Sequence, residues 1–149
     1  MMMRPVQSGC DSFLFSRYKT WILAVYIFGM LLTSIIPMSY QGGGAPFWAK
    51  LDPSAQNMLH VPMFMIFVFL FSRVLADGIS RIYMRWFAVA GGAILFGVIL
   101  ECVQSVIPGR YPSFADVLLN ILGVGLGFMV LIVLRYGRKK KAEPKDIIP

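Results

Sequence analysis

The stretch WFAVAGGAILFGVILECVQSVI, residues 86–107, decides the fold, because Glu101 is its only charged residue. A helix rises about 1.5 Å per residue, so this stretch is long enough to cross the hydrocarbon core of a bilayer, which is about 30 Å thick. Three further apolar runs occupy residues 21–36, 58–75 and 113–134. The sequence therefore predicts an all-α membrane protein with four transmembrane helices.

The composition agrees with this class and excludes a typical soluble domain. Of the 149 residues, 58% are hydrophobic and only 14% are charged, against about 25% charged in soluble domains. Four spans leave no room for a separate soluble domain. We predict a cytoplasmic N-terminal segment over residues 1–19, a membrane domain over 20–135 and a basic cytoplasmic tail over 136–149. Cys10 and Cys102 are expected to be free thiols.

The basic residues predict the orientation of the spans. Twelve of them fall in the N-terminal segment, the second loop and the tail, and only Lys50 and Arg110 fall in the first and third loops. Short cytoplasmic loops are enriched in Lys and Arg. Both termini are therefore predicted to be cytoplasmic.

This bias also explains the net charge of +7 without a nucleic-acid partner. Basic residues that flank membrane spans determine topology and attract anionic lipids of the inner leaflet. We predict no nucleic-acid binding and a contact between the basic tail and such lipids.

Glycines indicate how the last two spans pack. Gly91, Gly92 and Gly97 lie in the third span, and Gly123 and Gly127 form a GxxxG pair in the fourth. Helices in lipid associate through close packing of small residues. We expect the third and fourth spans to form a tight hairpin. The GxxxG pair could instead mediate homodimerisation.

Polar residues lie near the predicted outer ends of three spans. From the helical rise, Glu101 and Asn120 lie about 9 and about 10 Å inside the span ends, and Gln104 and Asp116 about 4.5 Å inside. His60 begins the second span on the same side. These residues are expected to form one polar layer. Ionisable groups within a span are costly and are therefore candidates for function.

The loop residue Arg110 is predicted to lie above this layer. We expect the layer and Arg110 to bind a ligand together. The ligand-binding candidates are thus His60, Glu101, Gln104, Arg110, Asp116 and Asn120.

Some of these residues also have structural interpretations. Ser113 and Asp116 have the spacing of a capping box at the head of a helix. Gln104 and Asn120 could serve as hydrogen-bonding contacts between helices. Each alternative explains one or two residues and leaves the common depth of the group unexplained.

Glu101 is the hardest residue to explain structurally, because an isolated carboxylate at that depth is expensive. A direct or one-water contact with His60, Arg110 or Asn120 is therefore expected. A structural pair of Glu101 with Arg110 or His60 is the main alternative to a functional role. Arg110 could also contact lipid headgroups or pair with Asp116, and His60 alone could be an interfacial residue.

A longer motif matches a known family. The pattern E-x-x-Q-x-x-x-P-G-R-x-x-S-x-x-D-x-x-x-N-x-x-G, from Glu101 to Gly123, resembles the VanZ-like family of small bacterial membrane proteins. His60 matches the family histidine, and the resemblance covers roughly residues 20–135. One departure is Gln56-Asn57, where family members often carry Asp-Lys.

The resemblance implies a multi-spanning protein of the bacterial cytoplasmic (inner) membrane that acts in the cell envelope. The family is named for a teicoplanin-resistance protein, so a role in glycopeptide resistance is one implication. It implies no established reaction.

The first functional hypothesis is a non-enzymatic envelope protein with an outer-leaflet polar pocket. Its partners would be membrane lipids or lipid-linked envelope intermediates. Arg110 and protonated His60 would hold an anionic headgroup through charge-assisted hydrogen bonds, and Glu101, Gln104 and Asn120 would orient its polar remainder.

The second hypothesis is a small intramembrane enzyme acting on a lipid-linked substrate. His60 would be the general acid or base, Glu101 or Asp116 would orient it, and Arg110 would stabilise negative charge. No nucleophile is recognisable, since Cys102 points about 100° away from Glu101 on the helix. A metal site is disfavoured by the single histidine, and no cofactor is predicted.

The third hypothesis is a small transporter or flipping protein. Four spans without an internal repeat are few for alternating access, although a dimer would double them. A proton path needs ionisable residues that continue toward the inner side. The third and fourth spans offer none between the polar layer and the cytoplasmic boundary.

Overall fold

The described part of the protein is a bundle of four helices. The computed structural model describes residues 9–35, 57–107 and 114–142, with side chains over 16–35, 57–107 and 114–138. The helices are α1 (Gly9–Ile35), α2 (His60–Gly78), α3 (Ile82–Ser105) and α4 (Phe114–Ala142). The described residues form no strand. Helix α2 contacts each of the other three, most extensively α4.

All four helices are long and apolar enough to cross a membrane, which confirms the predicted spans. The qualifying segments are Ser16–Ile35, His60–Gly78, Ile82–Ser105 and Phe114–Arg138. Large apolar side chains face outward along them, including Trp21 at 64% and Phe87 at 83% exposure. An exposed apolar surface of this extent suits contact with lipid rather than water. The orientation of the bundle across the membrane remains a prediction.

Two helices extend well beyond the apolar runs that predict them. Helix α1 begins at Gly9, inside the segment predicted to precede the first span. Helix α4 continues to Ala142, beyond the last apolar residues of its run. Arg and Lys are good helix formers and interact favourably with the negative end of the helix dipole. The basic start of the tail therefore extends α4.

Successive helices run in opposite directions, so the bundle has two chemically different ends. At one end Lys19 of α1 forms an ion pair with Asp77 of α2, with Nζ and Oδ1 2.8 Å apart. Toward the other, the Tyr26 hydroxyl donates to the Met63 carbonyl at 2.9 Å. We call the end near Asp77 and Ile82 the basic end, and the end near His60 and Ser105 the polar end.

The core beneath the polar end is aromatic. Phe64 and Phe67 of α2 are almost completely buried, and their rings meet edge to face with centroids 6.2 Å apart. Phe67 also stacks on Phe96 of α3, with centroids 5.1 Å apart. These contacts join α2 to α3 directly below His60 and help to fix the height at which the polar side chains meet.

The glycines of α4 pack against α2, so the GxxxG pair faces a helix other than the partner in the predicted hairpin. A Cβ atom at Gly123 would lie 2.5 Å from the Val61 carbonyl oxygen, and one at Gly127 would lie 2.9 Å from the Val68 Cβ. Helices α3 and α4 are also in contact. A small cavity of about 30 Å³ lies between them near Gly97. The closest approach of α4 is therefore to the second span, since only a bare glycine surface admits the α2 backbone there.

Candidate functional site

The candidate site begins with His60 at the first position of α2. Its Nδ1 atom lies 2.7 Å from Oδ1 of Asn120 on α4. Both side chains are buried, with 8% and 5% of their surfaces exposed. A hydrogen bond of this length between two buried groups fixes the orientation of the imidazole.

Asn120 also reaches the third helix. Its Nδ2 donates to Oε1 of Glu101 on α3, with 3.4 Å between the two atoms. The predicted contact of Glu101 with one of three named polar residues is thus confirmed, with Asn120 as the partner. His60, Asn120 and Glu101 form a continuous hydrogen-bonded chain across α2, α4 and α3.

Local sequence explains why the amide fits between its two partners. A Cβ atom at Gly97 of α3 would lie 3.3 Å from the Asn120 Nδ2 and 3.4 Å from the Phe64 ring. Gly97 lies one turn below Glu101 on the same helix. The missing side chain therefore leaves room for the amide under the carboxylate. Sequence analysis noted Gly97 only as a packing residue.

Gln104 and Asp116 are buried at the same end of the bundle, as predicted. Gln104 is 4% exposed and Asp116 is 5% exposed. The Oδ1 atom of Asp116 is buried and has no hydrogen-bond partner among the described residues. A buried carboxylate oxygen is costly unless a cation, a proton or a donor satisfies it. At the polar end, the Oδ1 atom of Asp116 can therefore accept a hydrogen bond that no described residue donates.

Two predicted elements of the site lie outside the described residues. Arg110 lies between α3 and α4, and its expected position above the polar layer is not tested. Ser113 is likewise outside, so the predicted capping box with Asp116 stays a prediction. Asp116 itself lies in the first turn of α4, where a negative charge is favoured by the helix dipole.

The described residues also show where Cys102 lies and how the side chains of metal-binding types are distributed. Cys102 is exposed, whereas its neighbour Glu101 is buried, as the helical spacing predicts. The Ser105 hydroxyl donates to the Cys102 carbonyl oxygen at 2.7 Å. Within residues 57–107 and the described parts of α1 and α4, no three His, Cys, Asp or Glu side chains are placed to hold a metal ion.

Buried ionisable groups are confined to the polar end in the described part of the chain. Toward the basic end the buried side chains are apolar except Ser72. Sequence analysis did not single out Ser34, a buried residue of α1. Its hydroxyl donates to the Met30 carbonyl of its own helix at 2.9 Å. Only the fold reveals its burial, because a serine at the end of an apolar run carries no distinctive signal.

The hydrogen-bond directions define what the histidine can do. Because the Asn120 amide nitrogen is directed at Glu101, its oxygen must accept from His60, so Nδ1 carries a hydrogen. The Nε2 atom is then the acceptor of the neutral ring, and it becomes a second donor when the ring is protonated. The arrangement can therefore hold an imidazole rigidly and leaves Nε2 outside the bond to Asn120.

Comparison with known proteins identifies one family. A family model described as VanZ/LLP1 matches residues 12–135, which include all four predicted spans and every residue of the site. No curated protein and no solved structure matches the chain.

Proposed function

The chain belongs to the VanZ/LLP1 family and is a multi-spanning membrane protein of that type, and we propose that its polar end binds the headgroup of a lipid or lipid-linked amphiphile. The observation that carries the proposal is the buried chain from His60 through Asn120 to Glu101. It brings three helices together at one depth of the membrane.

The chemistry of these residues favours a ligand over simple packing. Amide and hydroxyl groups suffice for hydrogen bonds between helices. Ionisable side chains in a span cost more and mark functional sites. The polar end buries three of them, His60, Glu101 and Asp116, and an Asp116 oxygen has no hydrogen-bond partner among the described residues. A headgroup with both donors and acceptors would complement this set.

The proposed site opens to the outer leaflet of the bacterial cytoplasmic membrane. That orientation follows from the distribution of basic residues. Arg110 and protonated His60 would contact an anionic part of the headgroup through charge-assisted hydrogen bonds, while Glu101, Gln104 and Asn120 orient its polar remainder. A role in glycopeptide resistance would follow if the ligand is a lipid-linked envelope intermediate.

An enzyme is the second candidate, and the Nδ1 contact of His60 favours it. General acid–base catalysis requires an imidazole held in a defined orientation, which Asn120 provides at 2.7 Å. No nucleophile among the described residues accompanies it, because Cys102 faces outward. Transport is less well supported, since the buried side chains toward the basic end are apolar except Ser72.

Photo-crosslinking tests the proposed site by location. The full-length protein would be reconstituted in phosphatidylethanolamine vesicles containing a phosphatidylglycerol with a photoactivatable group on its headgroup. Mass spectrometry of proteolytic peptides would then locate the adducts. We expect adducts on peptides that contain residues 57–63, 101–107 and 114–120, reduced by Glu101→Gln.

A control on the lipid-facing side of the same helix is Val98→Ala. Val98 is 49% exposed, so its substitution should leave the adducts at the polar end unchanged. Adducts spread evenly along the exposed apolar faces, or insensitive to Glu101→Gln, would contradict the proposed site. Release of a chemically altered lipid by the wild type alone would favour the enzyme.

A further inference from the structure

A large cleft lies at the basic end of the bundle, far from the polar layer. Its volume is about 540 Å³, and side chains of α2, α3 and α4 line it. Four of these are arginines, namely Arg73, Arg85, Arg135 and Arg138. They come from three helices, so the fold assembles a charge cluster that no single helix contains.

The cleft is strongly and uniformly positive. None of the described residues that line it is acidic. The Nε atom of Arg85 is buried and has no hydrogen-bond partner among the described residues. Because a buried donor without a partner is costly, a bound anion that accepts from Nε would stabilise this part-exposed arginine. The cleft therefore has the electrostatic character of an anion site.

The remaining lining residues are mostly apolar and extend into the membrane-spanning part of the bundle. Trp86, Leu131 and Leu134 form much of the wall, and the Trp86 ring meets Phe128 edge to face with centroids 6.3 Å apart. Arg73 lies over the Phe69 ring, 5.4 Å from its centroid. Charged groups at the mouth and apolar walls beneath suit a molecule that carries an anionic head and a hydrocarbon tail.

We propose that this cleft binds the phosphate groups of an anionic phospholipid from the inner leaflet. Guanidinium groups bind phosphate through paired hydrogen bonds, and basic pockets between spanning helices on the cytoplasmic side are typical sites for lipids of this class. Four arginines can neutralise two phosphates. Of the four arginines, only Arg138 lies in the basic tail over residues 136–149, for which the sequence predicts a contact with anionic lipids.

The test measures binding of cardiolipin, which has two phosphates, to the full-length protein in detergent by native mass spectrometry. Phosphatidylcholine and excess inorganic phosphate serve as the comparison ligands. Cardiolipin should bind with higher affinity than phosphatidylcholine, and phosphate should not displace it. Displacement by phosphate would point to a free anion as the occupant, and equal binding of phosphatidylcholine would point to a nonspecific lipid contact. Either result would overturn the proposal.

A matched pair of variants assigns the binding to the cleft. Arg85→Gln removes a lining guanidinium, whereas Arg81→Gln removes an exposed one a turn away on the same end of α3. Loss of a charge-assisted hydrogen bond should weaken cardiolipin binding by about tenfold or more in Arg85→Gln. The change in Arg81→Gln should stay within about twofold.

Folding of the variants is checked by thermal unfolding and gel filtration. If Arg85→Gln does not fold, Arg138→Gln replaces it, because Arg138 lines the cleft from the exposed last turns of α4. Equal losses in the lining and the Arg81 variants would mean that surface charge alone attracts the lipid. The proposed cleft would then be wrong.

Discussion

The imidazole Nδ1 of His60 lies 2.7 Å from the side-chain oxygen of Asn120, which is 60 residues further along the chain. This contact joins the first turn of α2 to α4, and the same amide continues to Glu101 on α3. The three buried side chains are therefore linked by hydrogen bonds only when all three helices are packed together.

Energetic coupling tests whether Asn120 connects His60 to Glu101. In a double-mutant cycle of His60→Leu and Glu101→Leu, the coupling should be about 0.5–1.5 kcal/mol, because both side chains share one amide partner. In an Asn120→Ala background it should fall to near zero. Reversible unfolding in mixed micelles measures both values. Additive effects in the wild-type background would show that the two residues act independently.

Glycine substitutions test the close packing of Gly123 against α2. Gly123→Ala should lower the free energy of unfolding by about 1–3 kcal/mol, since its Cβ would lie 2.5 Å from the Val61 carbonyl oxygen. Gly125→Ala is the matched control, because no described atom lies within 4 Å of that Cβ. Thermal unfolding in detergent compares the two. Equal stability of both variants would argue against a close α2–α4 contact.

Substitution of Gly97 tests whether its missing side chain makes room for the Asn120 amide. Gly97→Ala places a methyl group 3.3 Å from the Asn120 Nδ2, which should displace the amide and reduce headgroup crosslinking at the polar end. Gly91→Ala on the same helix has open space around its Cβ and should leave crosslinking unchanged. Unchanged crosslinking in Gly97→Ala would show that Gly97 does not contribute to the site.

Topology is tested by labelling single cysteines in a variant without Cys10 and Cys102. A membrane-impermeant maleimide added outside intact cells should label cysteines at Gly43 and Tyr111 but not one at Ser80, because the basic residues predict cytoplasmic termini. The same reagent should label Ser80→Cys after the cells are permeabilised. The reverse pattern would move the polar end to the inner leaflet.

Much of this architecture follows from sequence and elementary geometry. Four apolar runs predict the four helices, and the helical rise places Glu101 and Asn120 at nearly the same depth. Their contact at 3.4 Å agrees with that estimate. Depth alone does not determine the rotation of a helix about its axis, however. Sequence reasoning therefore left His60, Arg110 and Asn120 as equal partners for Glu101.

The helix partner of the glycine pair could not be predicted for a similar physical reason. A GxxxG pattern shows that Gly123 and Gly127 form a close-packing face, but it does not identify the neighbour that this face meets. The arginine cleft could not be predicted from the sequence either, because Arg73, Arg85 and Arg135 come together only when three helix ends pack. In the sequence they are explained equally well as topology signals.

The central claim is that the polar end is a binding site and not only a structural contact between helices. The most direct measurement compares headgroup crosslinking of the wild type and Glu101→Gln at equal amounts of folded protein, with thermal stability measured on the same samples. Gln retains the shape and hydrogen-bonding capacity of the side chain but not its charge.

Gly123→Leu serves as the folding control, since its side chain would collide with the α2 backbone. We predict that Glu101→Gln loses most of the crosslinking at the polar end while its melting temperature stays close to that of the wild type, and that Gly123→Leu loses stability. If Glu101→Gln instead loses stability as the control does, and its folded fraction crosslinks as well as the wild type, the polar chain is structural and the proposed binding site is wrong.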